Sequence, residues 1–256
     1  MKWLDRLRVR HTLRHHPIPD DSWHKLMDGA DIFLGLTSVE RAHLRTLSTL
    51  FLHRKAFSGA HGLTLTDDIL VSVAAQACLL ILKLGLDYYD GWIEVILYPG
   101  AFKVSRQVNE DGLVSDAGGH LAGESWQRGP VVLSWETAAT DLAAHQSGHN
   151  VVIHEFAHKL DSLDGSANGI PPLHLGMIRE DWTHVFTKAF DSLRGQLDHD
   201  QPHAIDAYAA TSPAEFFAVA SENFFAAPAT LHHHFPSVYE QLALFYRQDP
   251  KRRFKA

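Results

Sequence analysis

Residues 150–164 read NVVIHEFAHKLDSLD and contain the motif His154-Glu155-x-x-His158. An α-helix has about 3.6 residues per turn, so residues four apart lie on one face and the two imidazoles can bind the same metal ion. Glu155 follows the first histidine directly, where its carboxylate can reach a water at the metal without being a ligand. The stretch therefore predicts a helix that carries a zinc site.

The other side of this helix is apolar, with Val152, Phe156, Leu160 and Leu163 in helical register. An apolar face beside a polar edge favours a core helix over an exposed one. The motif itself fixes only three positions in a chain with 19 histidines, so an ordinary amphipathic helix without a metal is the alternative.

A catalytic zinc site needs a third protein ligand and one open position. The downstream candidates are Asp161, Asp164, His174 and Glu215. Glu215 is preferred because residues 212–215, SPAE, begin a second apolar helix that gives its carboxylate a fixed direction. The same residues also fit a capping box with Ser212 as N-cap, which needs no metal. The spacing leaves cap and ligand open.

Several stretches together resemble the Mlc titration factor A family of bacterial zinc metallopeptidases, namely HEFAHKLD, YAATSPAEFFAVASE, AAQACLLILKL, YDGWIEVILYPGAF, GPVVLSW and LALFYRQDP. The resemblance covers nearly the whole chain, and the first two stretches are also similar to the catalytic domain of anthrax lethal factor. It implies an α+β, zincin-like metallopeptidase fold with a small mixed sheet, an active-site helix, and helical N-terminal and C-terminal parts.

The resemblance also implies a gluzincin arrangement of the site. In that arrangement His154, His158 and Glu215 bind one zinc ion, Glu155 is the general base, and the hydroxyl of Tyr208 stabilises the tetrahedral intermediate. The implied activity is aminopeptidase-like, on small peptides. The implied partner is the glucose-responsive repressor Mlc, whose sequestration alters sugar uptake.

The acid that orients a ligand histidine is left open by the sequence. Gluzincins commonly have an acid four residues after the ligand Glu, but this chain has Val219 there. Asp161, three residues after His158, lies close to the ligand face. Glu222 lies about two turns after Glu215 and shares its helix face, as a supporting acid or as a solvent-facing residue.

Composition limits the class of protein. The 256 residues are 45% hydrophobic, enough for one large domain or two closely packed lobes. The net charge of −7, from 23 basic and 30 acidic residues, argues against direct nucleic-acid binding. The single cysteine, Cys78, excludes an internal disulfide and is typical of a small buried hydrophobic residue.

The chain is expected to form one metallopeptidase unit, with a helical segment of about residues 1–62 packed on a catalytic lobe of about residues 63–256. Residues 3–16 are a basic stretch that either binds a membrane surface or an acidic partner, or packs on its own domain. A helix is expected over residues 38–52. Residues 56–62, AFSGAHG, are expected to be a glycine-rich joint.

Thr66 is expected to cap a long apolar helix that is buried and packs against the motif helix. Ser72, Gln76 and Lys83 interrupt this helix, so no membrane span is predicted. The N-terminus lacks the apolar core of a signal peptide, so a cytoplasmic protein is expected.

From Asp90 onward the pattern is typical of strands, with GWIEVILYPG, KVSRQV and GPVVLSW separated by glycines. These strands predict a small mixed sheet whose edge can bind an extended peptide by strand addition. Residues 121–126 and 131–135 are the two candidates for this edge.

The sequence favours a zinc-dependent peptidase. The alternative is a repressor-titrating binding protein in which the zinc is structural or vestigial. A structural zinc normally has four protein ligands, whereas three ligands and a base favour catalysis.

Overall fold

The computed structural model of the chain describes residues 3–100, 129–144 and 146–253. The helices are α1 (Trp3–His15), α2 (Asp20–Gly29), α3 (Ser38–Arg54), α4 (Asp67–Leu80), α5 (Trp135–Ala143), α6 (Val151–Asp161), α7 (Arg179–Asp198), α8 (Pro213–Ala226), α9 (Pro228–His234), α10 (Pro236–Tyr246) and α11 (Pro250–Arg253). The strands are β1 (Ala56–Gly59), β2 (Glu94–Tyr98) and β3 (Val131–Ser134). The described chain is therefore mostly helical, with a small sheet.

Capping residues set the start of many of the helices. A side-chain oxygen accepts a hydrogen bond from the backbone N–H three residues later at Thr37, Thr66, Ser134, Asn150 and Ser212. Each such cap stabilises its helix by about 1 kcal/mol. The predicted helices over residues 38–52 and after Thr66 are confirmed as α3 and α4.

The described strands form a parallel sheet in the order β1-β2-β3, with Phe57 opposite Val95 and Val95 opposite Val131. The expected mixed sheet is therefore wrong for these strands. The expected joint at residues 56–62 is also wrong in part, because its first four residues form β1. The division of the chain near residue 62 stays a prediction.

Of the two candidate substrate edges, one lies outside the described residues and the other is a strand. Residues 121–126 lie outside the described residues, as does the stretch KVSRQV. Residues 131–134 form β3, which pairs with β2 on one side. The choice between the two edges stays a prediction.

Helix α4 is the central buried element, as predicted. Val73, Ala74, Ala77 and Cys78 are fully buried, and the helix packs against α3 and α6. Its apolar surface is therefore covered by protein. None of the described helices has the length and apolar character needed to cross a bilayer.

Phe156 anchors the motif helix α6 in an aromatic cluster. Its ring centroid lies 5.7 Å from that of Phe51, 5.2 Å from Tyr89 and 5.7 Å from Trp92, all in edge-to-face contacts. Such pairs add about 0.5–1.5 kcal/mol each beyond burial. Leu163 does not extend this face, because α6 ends at residue 161 and the Leu163 side chain is exposed.

Candidate metal centre

Three side-chain atoms converge between α6 and α8. His154 Nε2 and His158 Nε2 lie 3.2 Å apart, and Glu215 Oε2 lies 3.1 Å from the first and 3.2 Å from the second. Ligands at about 2.0–2.1 Å from a tetrahedral zinc are about 3.3 Å apart. Two imidazoles and a carboxylate at this spacing therefore fit such an ion, and no other group of this kind is found among the described residues.

The start of α8 gives Glu215 its direction. Ser212 Oγ accepts a hydrogen bond from Glu215 N at 3.2 Å, which caps the helix. The Glu215 carboxylate turns to the two histidines. The Ser212 half of the predicted capping box is therefore present, while the Glu215 carboxylate contacts the histidines.

Glu222 contacts the ring nitrogen of His154 that is not at the metal site. Its Oε1 lies 2.7 Å from His154 Nδ1, and its Oε2 accepts a hydrogen bond from Asn150 N at 2.6 Å. A carboxylate can only accept, so the Nδ1 of His154 carries a proton and its Nε2 points to the site. Glu222 is buried on α8 rather than facing solvent.

Asp161 contacts the loop after α6 rather than a histidine ring. Its Oδ2 accepts a hydrogen bond from Gly169 N at 2.8 Å, and its Oδ1 has no hydrogen-bond partner among the described residues. Burial raises the pKa of Asp161 to about 6, and the hydrogen bond from Gly169 N and the charge of His158 partly offset this. Of the two acids left open by the sequence, Glu222 is the one in contact with His154.

The remaining ligand candidates lie elsewhere. His174 Nε2 is 2.7 Å from the carbonyl oxygen of Phe245, and its Nδ1 is 3.3 Å from the hydroxyl of Tyr88. The first contact ties the loop after α6 to α10, and the second ties it to the 3₁₀ turn Leu86–Tyr89. Asp164 is absent from the converging group, which among the described residues contains only the two motif histidines and Glu215.

The charge states of His154 and Glu215 depend on each other. Burial disfavours the imidazolium of His154, but hydrogen bonds with Glu215 and Glu222 outweigh burial and raise its pKa to about 10. Burial also opposes ionisation of Glu215, yet its hydrogen bonds with His154 and His158 lower its pKa below the usual carboxyl range. A metal ion at this site therefore competes with protons.

Glu155 and Tyr208 border the same site. Burial raises the pKa of Glu155, although the charges of His154 and His158 oppose this. Tyr208 lies on a short 3₁₀ turn, Ala207–Ala210, with its ring centroid 6.1 Å from that of His154. Tyr208 is 42% exposed, so part of it faces solvent.

Gly169 joins the three helices around the site. Its N–H donates to Asp161 at the end of α6, and its carbonyl accepts from Trp182 Nε1 on α7 at 2.9 Å. Its φ is +79°, and an added Cβ would lie 2.5 Å from the carbonyl oxygen of Pro213, the first residue of α8. Only glycine fits this position without displacing the start of the helix that carries Glu215.

We expect Gly169→Ala to destabilise the protein by about 1–3 kcal/mol more than Gly165→Ala, because it adds a backbone overlap to the strain of a positive φ. Gly165 is the matched control, since its φ is +110° and nothing lies within 4 Å of its Cβ position. Urea unfolding of both variants measures the difference. Equal free energies of unfolding would contradict the close contact.

Comparison with known protein families matches residues 3–247 to the glucose-regulated metallo-peptidase M90 model. The chain belongs to this family. A metallopeptidase family implies a metal ion, and the donor atoms of His154, His158 and Glu215 are suited to one.

Relatives of this M90 chain match over most of its length. The "Uncharacterized protein slr2042" of Synechocystis sp. is 38% identical over 250 residues, which are 97% of this chain and 90% of the relative. "Mlc titration factor A" of Salmonella arizonae is 39% identical over 228 residues, 88% of this chain and 90% of that protein. "Mlc titration factor A" of Yersinia pestis is 37% identical over 237 residues, 91% and 86% respectively.

Two residues near the M90 site were not predicted from the sequence. Asn150 caps α6 and also donates its backbone N–H to Glu222. Asp141 on α5 accepts a hydrogen bond from Val151 N at 2.9 Å. An Asn directly before an apolar helix is a recognisable N-cap signal, but the partner on another helix leaves no local signal.

Proposed function

We propose that this M90 protein is a zinc-dependent peptidase with a zincin-like, gluzincin-type site and aminopeptidase-like activity. One zinc per chain would be held by His154, His158 and Glu215. The supporting observation is that three ligand atoms, contributed by two separate helices, lie 3.1–3.2 Å from one another. A structural zinc normally has a fourth protein ligand, whereas three leave a position open for chemistry.

Bound zinc would supply Lewis-acid activation of water and of the scissile carbonyl. Glu155 takes the proton of the attacking water on its carboxylate and passes it to the leaving amine. Burial raises the pKa of Glu155, which makes its carboxylate a stronger base than an exposed one. Glu222 keeps the proton of His154 on Nδ1, away from the site.

The hydroxyl of Tyr208 donates a hydrogen bond to the oxygen that gains negative charge when the carbonyl is attacked. Its position on a capped turn, with Asp206 Oδ1 accepting Tyr208 N at 2.8 Å, holds the backbone beside His154. A donor placed at a developing oxyanion lowers the barrier more than it strengthens substrate binding.

Metal removal tests the peptidase proposal. A chelator-treated protein should lose hydrolysis of fluorogenic aminoacyl peptides and regain it with about one equivalent of zinc, because the described residues contain one group of three ligands suited to the ion. Magnesium is the control, since it prefers oxygen ligands. N-acetylated versions of the same peptides should be poor substrates if the activity is aminopeptidase-like. Equal turnover by metal-free protein would overturn the proposal.

We propose in addition that the chain binds a glucose repressor related to Mlc. The support is the name Mlc titration factor A carried by relatives that match about 90% of this chain. The alternative is a repressor-binding protein without catalysis, in which zinc is structural or vestigial. Repressor capture without peptide turnover by the zinc-loaded protein would favour that alternative.

A further inference from the structure

A series of buried hydrogen bonds leads from the central helix α4 to His154. Gln76 Oε1 on α4 accepts from Asn150 Nδ2 at 2.8 Å, and Asn150 N donates to Glu222 Oε2 at 2.6 Å. Glu222 Oε1 in turn lies 2.7 Å from His154 Nδ1. We call Gln76, Asn150 and Glu222 the orienting chain.

The direction of each amide in the orienting chain is fixed by its partners. Gln76 Nε2 donates to the carbonyl oxygen and to the Oγ of Ser72, at 3.2 Å each. A carbonyl only accepts, so the Gln76 oxygen must face Asn150. Asn150 Oδ1 accepts from Ile153 N at 2.9 Å as the cap of α6, so its Nδ2 must face Gln76. Rotating either side-chain amide by 180° would place donor against donor or acceptor against acceptor.

The orienting chain lies in the core, with relative exposures of 0% for Gln76, 2% for Asn150 and 5% for Glu222. Among the described residues, the buried side-chain atoms without a partner belong to Trp92, Asp161 and Arg253, so every polar atom of the orienting chain is paired. A fully satisfied buried network holds its members in one arrangement. Sequence patterning treats Gln76 only as an interruption of an apolar helix, but its oxygen accepts a hydrogen bond from Asn150, which in turn donates to Glu222.

A neighbouring contact holds the same segment against α8. Asn223 Nδ2 donates to the carbonyl oxygens of Gly148 and Val219, at 3.2 Å and 3.0 Å. A Cβ on Gly148 would lie 2.5 Å from Asn223 Oδ1, so the backbone approaches α8 closely there. Consecutive residues of α8 thus bind residues 148–150. The position of Asn150 N is therefore tied to the position of the Glu222 carboxylate.

We infer that Gln76 is a positioning residue for the metal centre, which acts by holding Asn150 so that Glu222 fixes the ring of His154. The inference rests on the proposed function, in which His154 is a zinc ligand. Changes in the residue that directly contacts a ligand histidine typically weaken metal binding about 10–100-fold. Gln76 is two contacts further away, so its loss should weaken zinc binding by roughly 3–10-fold.

The test compares Gln76→Met with Gln248→Met in the full chain. Gln248 is the matched control, because it is buried and its Nε2 donates to the carbonyl oxygen of Leu79 on the same helix α4 at 2.8 Å, without contacting the orienting chain. Both variants lose buried hydrogen bonds, so the melting temperature of each should fall. Only Gln76→Met should raise the zinc Kd, measured by chelator competition without substrate. A Kd within twofold of the parent, or an equal rise in both variants, overturns the inference.

Two further variants keep the test decisive if Gln76→Met does not fold. Asn150→Ser keeps a capping oxygen for α6 but lacks the amide that meets Gln76, so it should raise the zinc Kd as well. The Gln76→Glu side chain, protonated in the core, has an oxygen that accepts from Asn150 and a hydroxyl that donates to Ser72. Its zinc Kd should therefore stay near the parental value. A parental zinc Kd for Asn150→Ser, together with a raised zinc Kd for Gln76→Glu, contradicts the inference.

A double-mutant cycle separates positioning from general destabilisation. If Gln76 acts through Glu222, Gln76→Met should change the zinc Kd little in a Glu222→Gln background, whereas independent effects would multiply. Zinc binding without peptide turnover would leave this inference standing and overturn the peptidase proposal. A parental protein that binds no zinc overturns both.

Discussion

We expect Glu155→Gln to lower kcat for peptide hydrolysis by about 10²–10⁴-fold while zinc stays bound. The amide has nearly the shape of the carboxylate, but it cannot take a proton from water at neutral pH. Glu155 lies outside the group formed by His154, His158 and Glu215, so all three ligand atoms remain in place. The loss should therefore appear in kcat and not in the zinc Kd.

The measurement for Glu155→Gln is steady-state turnover at saturating zinc, with the metal content determined on the same sample. Glu240→Gln is the matched control, because Glu240 is exposed on α10, outside the metal group. It should retain parental kcat. Turnover by Glu155→Gln within a few-fold of the parent would show that another group removes the proton.

The second large effect is expected for Glu215→Ala, which should weaken zinc binding by more than the about 10–100-fold typical of residues that only support a ligand. The change removes the carboxylate that lies 3.1 Å and 3.2 Å from the two histidines. The backbone N–H at this position can still donate to Ser212 Oγ, so the helix cap is preserved. Chelator competition measures the effect.

Ser212→Ala is the complementary variant, because it removes the cap and keeps the carboxylate. It should cost about 1 kcal/mol in urea unfolding and leave the zinc Kd within a few-fold. The two variants thus separate the two roles that SPAE suggests. If Ser212→Ala weakens zinc binding as much as Glu215→Ala does, the carboxylate is not acting as a ligand.

Local signals account for the elements that the sequence predicted correctly. A capping side chain acts on a backbone N–H three residues away, so Thr66 marks the start of α4 from sequence alone. Apolar periodicity likewise identifies the buried face of α6, up to the point where the helix ends at residue 161. Leu163 follows that end, which is why the pattern misplaced it.

Long-range pairing accounts for the errors in the sheet. Residues 56–59 end in Gly59 and are followed closely by Gly62, so locally they favour a loop. They form β1 because β2, far along the chain, offers a parallel partner. Parallel pairing needs a crossover of a dozen or more residues, and a short window of sequence contains only one of the two strands.

The sequence by itself determined that His154 and His158 project from one face of α6, because helical geometry fixes directions within a helix. Only the tertiary structure decided that Glu222, and not Asp161, contacts His154, and that Glu215 faces both histidines. The distance and rotation between α6 and α8 depend on how their buried side chains pack in a close-packed core, which residue spacing along one chain segment does not specify.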